Sequence, residues 1–433
     1  MICDNISVNQ MGHLCFAGLD TVDLAQKYGT PLYLMDEDKI REKVRIYKKA
    51  MAEAFGEESF PLYASKACCF KRIYEIMKEE NMAIDLVSPG EIFTAKKAGF
   101  PMEKSFFHGN NKTDSDIAFA MECGVGYFVA DNIGELSAVN EIAKEKEITQ
   151  KVILRLTPGI DPHTYEAVAT GKVDSKFGVA IETGQAAQMV ADALSFSNIK
   201  LSGYHCHVGS QVFNDDGNVY IEAATIMLEF AKEMKEKHNF DIEILNMGGG
   251  FGVRYTDKDP YLDIAQSIKT LAGHIKGLCE KLSLPMPKIL MEPGRSIVAD
   301  SGMTLYSVGT VKEITGYKNY VSIDGGMTDN PRFALYGSAY TVLLANRMND
   351  EKDFVCDVVG RCCESGDIIQ PSVEMPKPER NDIVAVLTTG AYNYSMASNY
   401  NRIGRPPVVM LSDGKDYVAV KRETFEDLTK LDV

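Results

Sequence analysis

Between residues 61 and 294 one pattern returns eight times: a strand-like run, then polar or glycine-rich residues, then a helix-like stretch. The runs are LYASK (62–66), AIDLVSPG (83–90), SFFHGNNK (105–112), GYFVADN (126–132), VILRLTPG (152–159), LSGYHCHVGSQ (201–211), EILNMGGGFG (243–252) and KILMEPGR (288–295). Strands that alternate with helices predict a parallel sheet. Eight such units between residues 61 and 294 match a TIM-like (β/α)8 barrel, whose usual length is about 250 residues. An open doubly wound sheet is the alternative, but no G-x-G-x-x-G fingerprint follows an early strand.

Local signals agree with this frame. Phe70, Ile73, Tyr74 and Met77 fall on one face of a helix, and Ile40, Val44, Tyr47 and Met51 mark another upstream. Ser88-Pro89-Gly90-Glu91 carries the signature of a capping box. After residue 300 the texture changes to β-type runs separated by turn residues: MTLYSVGTVKEI, NYVSIDGG, FVCDVVG, DIVAVLTTG, PPVVML and DYVAVKRE. These predict a C-terminal antiparallel β-barrel or sandwich domain, to which ISVNQMGHLCFAGLD (6–20) is expected to add a strand. The expected division is a barrel over 34–295 and a β-domain over 1–33 and 296–433.

Composition narrows the function classes. The chain has 433 residues, 45% hydrophobic and 25% charged, as in an ordinary globular protein with room for two cores. A formal net charge of -15 argues against binding nucleic acid by phosphate neutralisation. No apolar run approaches the roughly 18 to 20 residues that span a bilayer. The opening MICDNISVNQ has neither the basic region nor the apolar core of a signal peptide. Ten cysteines are too sparse for a disulfide scaffold and predict reduced thiols in a cytoplasm.

In a barrel the chemistry gathers at the C-terminal ends of the strands. Those ends hold Lys66, His108, Asn110, Arg155, His205, His207, Ser210, Gly248, Gly249, Gly250, Glu292 and Arg295. Lys66 alone reads as a charge closing a strand. The glycine run alone reads as a tight turn. Barrels often bind phosphate after strands seven and eight, however, and there the glycines meet the guanidinium of Arg295. A lysine able to form a Schiff base, a phosphate cradle and an acid such as Glu292 for a pyridine nitrogen are what pyridoxal phosphate needs. The alternative for Glu292 is a buried acid paired with Arg295. His205 and His207 share a strand face; metal ligation is one reading, a core or ring-stacking histidine the other. Cys362-Cys363 is not a zinc spacing, and no metal is expected. Such cysteines are usually inert, but polar neighbours leave room for an accessible proton donor.

Ordered motifs then run along nearly the whole chain: YASKA (63–67), SKFG (175–178), HCHVGSQ (205–211), GGGFG (248–252), EPGRSIVADSG (292–302), DGGMTDNPRFALYG (324–337), CESGD (363–367) and GAYNYSMASNYN (390–401). In these the chain resembles the pyridoxal-phosphate-dependent group IV decarboxylases of alanine-racemase-like fold. The resemblance implies that Lys66 carries pyridoxal 5'-phosphate, His207 stacks on its ring and Glu292 holds its nitrogen. It implies a phosphate site of Ser210, Gly248 to Gly250, Gly294 and Arg295, closed by Tyr392. Arg295, Arg332 and Tyr336 would meet substrate carboxylate, and Glu364 the distal ammonium. Cys363 would protonate the carbanion, from the other subunit of a homodimer with shared sites, and the β-domain would supply substrate and dimer contacts. A site pairing a guanidinium with a carboxylate suits a substrate whose far end is itself an amino acid. Arg332 and Glu364 therefore point to meso-2,6-diaminopimelate, giving L-lysine, over ornithine. The chain departs from the family pattern at Cys68, Tyr165 and Arg361, where Asn, His and Pro are usual.

Overall fold

The computed structural model of the protein describes residues 2–160, 174–213 and 219–433. The departure at Tyr165 lies outside the described residues. The eight sequence runs form eight parallel strands: β1 (Phe60–Ala64), β2 (Ala83–Leu86), β3 (Ser105–Phe107), β4 (Tyr127–Ala130), β5 (Gln150–Thr157), β6 (Ile199–His205), β7 (Ile244–Asn246) and β8 (Lys288–Met291). They pair in chain order, and β8 pairs back onto β1, with Leu290 opposite Phe60 and Met291 opposite Pro61. The sheet is closed, as expected for a barrel and not for an open doubly wound sheet.

The outer helices follow the predicted stripes. In Glu37–Phe55, residues Ile40, Val44, Tyr47 and Met51 are all fully buried. In Lys71–Glu79, Ile73, Tyr74 and Met77 are fully buried, while Phe70 is the N-cap. Each such side chain contributes roughly 1.5–3 kcal/mol by leaving water. Ser88 caps Pro89–Lys97 by accepting from the Glu91 N–H at 3.2 Å. The Glu91 carboxylate returns to the Val87 N–H at 2.6 Å and not to Ser88, so the box is shifted by one residue.

Strand alternation divides the barrel interior into layers. Leu62, Ala83, Phe106, Val129, Ile153, Ile244 and Leu290 form an apolar plug. Two residues further along each strand, the same inward face holds Asp85, His108, Asp131, Arg155, Asn246 and Glu292. On β6 a register shift between Leu201 and Gly203 precedes the inward position. Gly203 lies so close to β7 that a Cβ there would meet the Ile244 carbonyl oxygen at 1.9 Å. His205, two residues on, completes the polar layer.

The chain divides into a barrel unit, 43–252 with 262–294, and a second unit, 1–42 with 253–261 and 295–433. Where an unbroken barrel over 34–295 is expected, residues 34–42, 253–261 and Arg295 group with the second unit. That unit is a mixed sheet. The long strand Gly302–Ile314 pairs antiparallel with Lys318–Ile323, Ile383–Leu387 and Leu32–Asp36. Two pairings are parallel, Lys318–Ile323 with Phe354–Val359 and Leu32–Asp36 with Val408–Ser412. Neither of those pairs is joined by a tight turn, so antiparallel pairing is not imposed. The segment 6–20 does not add a strand to this sheet. Ile6–Val8, Leu14–Phe16 and Leu19–Asp20 form a three-stranded sheet of their own, packed through Ile6, Leu14 and Phe16 into the core of the unit. The N-terminal strand that does join is Leu32–Asp36. All ten cysteines are free thiols. Among the described residues no helix is long and apolar enough to cross a membrane.

Candidate active site

Lys66 sits in the single turn Ser65–Ala67 that follows β1, with its side chain exposed at the C-terminal end of the barrel. The turn is fixed from the last strand. Ala64 N–H donates to the Pro293 carbonyl at 3.1 Å, and a Cβ at Gly294 would come within 2.9 Å of the Ala64 Cβ. Gly294 is therefore needed where the Pro293-Gly294 step packs on the lysine turn.

Glu292, the residue after β8, is buried and held by three side chains. Asn246 Nδ2 donates to Oε1 at 2.7 Å. His108 Nε2 lies 2.9 Å from Oε1, and His205 Nε2 lies 3.2 Å from Oε2. Burial alone would raise the Glu292 pKa, but its interactions with the His108 and His205 rings take it well below the ordinary carboxylate value. The Glu292 partners are thus two imidazoles and an amide. Burial pushes His205 down to about 4, so its ring is neutral near pH 7. The ligand atoms of His108, His205 and Glu292 lie within 4.8 Å of one another, a spacing that could also hold a metal ion. The hydrogen bond from His205 and the charge contact from His108, whose Nε2 makes no aligned hydrogen bond among the described residues, account for this closeness.

His207 follows on the same face as His205. Its Nδ1 accepts from the Gly249 N–H at 3.2 Å. Burial, with the positive charges of Lys66 and Arg155, takes its pKa well below the ordinary histidine value. The ring is a neutral aromatic surface whose proton sits on Nε2. The glycine run packs against this histidine segment at close quarters. A Cβ would meet the Cys206 carbonyl oxygen at 2.5 Å from Gly248, the Glu292 oxygen at 2.1 Å from Gly249 and the Gly209 oxygen at 2.2 Å from Gly250. Two of the three glycine N–H groups are engaged within the barrel, Gly248 with Asn246 Oδ1 at 2.9 Å and Gly249 with His207. Val212 N–H donates to the Gly250 carbonyl at 2.9 Å, which brings the segment after Ser210 alongside the run.

Asp85 lies in the polar layer between these groups. Both of its carboxylate oxygens are buried without a hydrogen-bond partner among the described residues. Burial raises its pKa, against the positive charges of His108, Lys66 and Arg155. Arg155 Nε stands 3.9 Å from Asp131 Oδ1, and the guanidinium covers the Phe177 ring at 4.3 Å.

The second unit carries a different cluster. Arg295 is buried and donates to the Tyr255 hydroxyl at 2.7 Å. The Tyr392 ring lies between two guanidiniums, 4.8 Å from Arg295 and 5.1 Å from Arg332. Arg332 also covers the half-buried Tyr336 at 4.9 Å. Its Nε is buried without a hydrogen-bond partner among the described residues. Tyr392 has φ 62, a left-handed backbone that a bulky residue adopts only where its surroundings impose it. Two buried guanidiniums around one tyrosine suit an anion.

The cysteine pair resolves into two environments. Cys362 is buried, and burial with the nearby Asp367 carboxylate pushes its thiol up to about 12. Cys363 is exposed, with its N–H donating to Asn401 Oδ1 at 2.8 Å. Asp367 holds the turn by accepting from the N–H groups of Met327 at 2.6 Å and Cys362 at 2.7 Å. Glu364 and Arg361 are exposed, and Cys68 is buried.

Of the predicted residues, the barrel unit therefore brings together Lys66, His207, Gly248, Gly249, Gly250, Glu292 and Gly294. The second unit brings together Arg295, Arg332, Tyr336 and Tyr392, while Cys363 and Glu364 lie on a separate exposed turn. Asp85, Asp131, Asn246 and Tyr255 escaped the sequence reading. The first three carry a usable signal, since each stands two residues beyond an apolar plug residue on its strand.

A family profile described as pyridoxal-dependent decarboxylase, pyridoxal binding domain, matches residues 37–299. The chain is 43% identical to the diaminopimelate decarboxylase of Halalkalibacterium halodurans over 98% of this chain and 96% of that one. It is 42% identical to the diaminopimelate decarboxylase of Bacillus subtilis, again over 98% and 96%. It is also similar to the solved structure of diaminopimelate decarboxylase from M. jannaschii in complex with L-lysine. The TM-score is 0.90 at 34% identity, covering 100% of this chain and 98% of that one.

Proposed function

Because the chain belongs to the pyridoxal-dependent decarboxylases, we propose that it removes CO2 from meso-2,6-diaminopimelate and releases L-lysine. The observation that carries the reaction class is Glu292. It is a buried carboxylate kept ionised beside a neutral His207 ring, next to the turn that presents Lys66. An anion held ready in a buried site fits a protonated pyridine nitrogen, so these residues suit pyridoxal 5'-phosphate. When bound, that cofactor supplies a carbonyl to capture the substrate amine and a ring to take up the electron pair left by CO2.

The residues then divide the work. Lys66 Nζ is the amine that would hold the cofactor. Glu292 would face the ring nitrogen, and His207 would offer its face to the ring. Ser210, Gly248, Gly249, Gly250, Gly294 and Arg295 would hold the phosphate, with Tyr392 beside them. The N–H groups of Gly248 and Gly249 are already engaged within the barrel. Arg332, with Arg295, Tyr336 and Tyr392, receives substrate carboxylate, and Glu364 the distal ammonium. The bond from Cα to the carboxylate carbon breaks, CO2 leaves, and Cys363 Sγ delivers a proton to Cα. Its exposure supports that role, and the burial of Cys362 argues against it as donor.

We place the enzyme in the cytoplasm as a homodimer in which Cys363 and Glu364 serve the partner's Lys66. CO2 release across meso-diaminopimelate, ornithine, arginine and lysine tests the substrate, and a preference for ornithine overturns it. Mixing Lys66→Ala with Cys363→Ala tests sharing. Recovered activity supports it; continued silence places each site within one chain.

A further inference from the structure

We propose that His108 and His205 are positioning residues that hold the Glu292 carboxylate, from both of its oxygens, as a fixed anion for the ring nitrogen of the cofactor. The inference rests on the cofactor reading above. Each imidazole addresses a different oxygen: His108 Nε2 is 2.9 Å from Oε1, and His205 Nε2 is 3.2 Å from Oε2. Asn246 adds a third donor at 2.7 Å on Oε1. The carboxylate cannot rotate without breaking a contact on either side.

The choice of donors is informative. A lysine or arginine in the same place would also stabilise the anion, but would cancel its charge before the cofactor arrived. The neutral His205 ring and the Asn246 amide stabilise the anion by hydrogen bonds and cancel none of its charge. The nearest guanidinium in the layer, Arg155, is turned toward Asp131 at 3.9 Å. The layer accepts a cost for this arrangement. His205 Nδ1 is buried without a hydrogen-bond partner among the described residues, and so is His108 Nε2, which meets Oε1 at contact distance without an aligned hydrogen bond. The two rings brace one another edge to face, with centroids 5.0 Å apart and planes at 72°. The close approach of Gly203 to β7, which only glycine permits, sets the strand so that His205 faces inward. Neutrality of His205 near pH 7 is consistent with a donor and not a counter-ion.

The decisive measurement is equilibrium affinity for pyridoxal phosphate and for its 1-deaza analogue, in which carbon replaces the ring nitrogen. Affinities are taken on reconstituted wild type, His205→Leu, His205→Gln and His108→Leu. The analogue keeps the aldehyde and phosphate and lacks only the nitrogen that Glu292 addresses. His205→Leu is expected to lose about tenfold in affinity for pyridoxal phosphate, the scale of one charge-assisted hydrogen bond, and His108→Leu, whose contact is not an aligned hydrogen bond, about threefold. Their affinity for the analogue should stay at the wild-type value. His205→Gln, which keeps an N–H at similar reach, should recover most of the loss. Equal losses for both ligands would make the histidines packing residues and overturn the inference while leaving the cofactor reading intact. Wild type that binds neither ligand overturns the cofactor reading itself. If His205→Leu does not fold, His205→Gln against His205→Asn, whose shorter amide falls short of Glu292, gives the same comparison.

Discussion

The two anion-handling regions of this molecule are built in opposite ways. In the barrel unit, charge sits on regular strands. Every member of the polar layer except His205 occupies the same step beyond an apolar plug, and Glu292 is met by neighbours on β3, β6 and β7 or just beyond them. In the second unit, charge sits on irregular backbone. Arg295 and Arg332 flank a tyrosine held at φ 62, and they are stabilised by ring faces and a hydroxyl. The barrel side offers a fixed anion, and the second unit offers cations, of which Arg332 has a buried Nε with coordination left to give. A ring nitrogen suits the first, and an incoming phosphate or carboxylate suits the second.

This contrast can be broken by experiment. The largest effect is expected at Lys66. Lys66→Ala should lower CO2 release on the order of 10^4-fold, because it removes the amine that would hold the cofactor. Near-normal turnover in a folded variant would remove the barrel end from the chemistry. Cys363→Ala should slow turnover by about 10^2- to 10^3-fold with cofactor affinity unchanged, and Cys362→Ala should stay within a few fold. The reverse order would exchange the donor.

Acid sensitivity sharpens the barrel half of the contrast. His205 is depressed to about 4 in the folded chain, against an ordinary 6.5. Between those values the unfolded chain binds a proton that the folded chain refuses, so stability falls as pH falls through that window. At about 1.4 kcal/mol per pH unit the loss approaches about 3 kcal/mol. Denaturant titrations of wild type and His205→Leu at pH 7 and pH 4.5 should differ in slope against pH, with the variant flatter. Parallel curves would mean that His205 is not held neutral. The smallest effect concerns the second unit. Arg332→Lys keeps the charge but loses the planar fork, and should raise KM for diaminopimelate by about tenfold with a much smaller change in kcat. An equal fall in kcat would tie Arg332 to the transition state as well.

The same contrast explains what could be read from the sequence. Strand periodicity made all eight barrel strands legible, and with them the address of Lys66, His207 and Glu292. It could also have shown Asp85, Asp131 and Asn246, which lie one inward step past Ala83, Val129 and Ile244. The partners of Glu292 were harder, because β6 shifts register before His205 and only the closed barrel brings β3 and β6 around β8. In the second unit nothing local predicts that Tyr255 from 253–261 meets Arg295, since that pairing depends on a segment leaving the barrel and returning. The parallel pairing of Leu32–Asp36 with Val408–Ser412 was hidden for the same reason: the partners lie at opposite ends of the chain.

The clasp of Pro293-Gly294 on the lysine turn also bears on biosynthesis. Lys66 leaves the ribosome with the first strand of the barrel, yet its turn is pinned by residues that follow the last. A nascent chain that stops short of Glu292 carries the reactive amine but cannot shape its pocket. The lysine turn can therefore take its final shape only once the last strand has emerged and paired back onto the first.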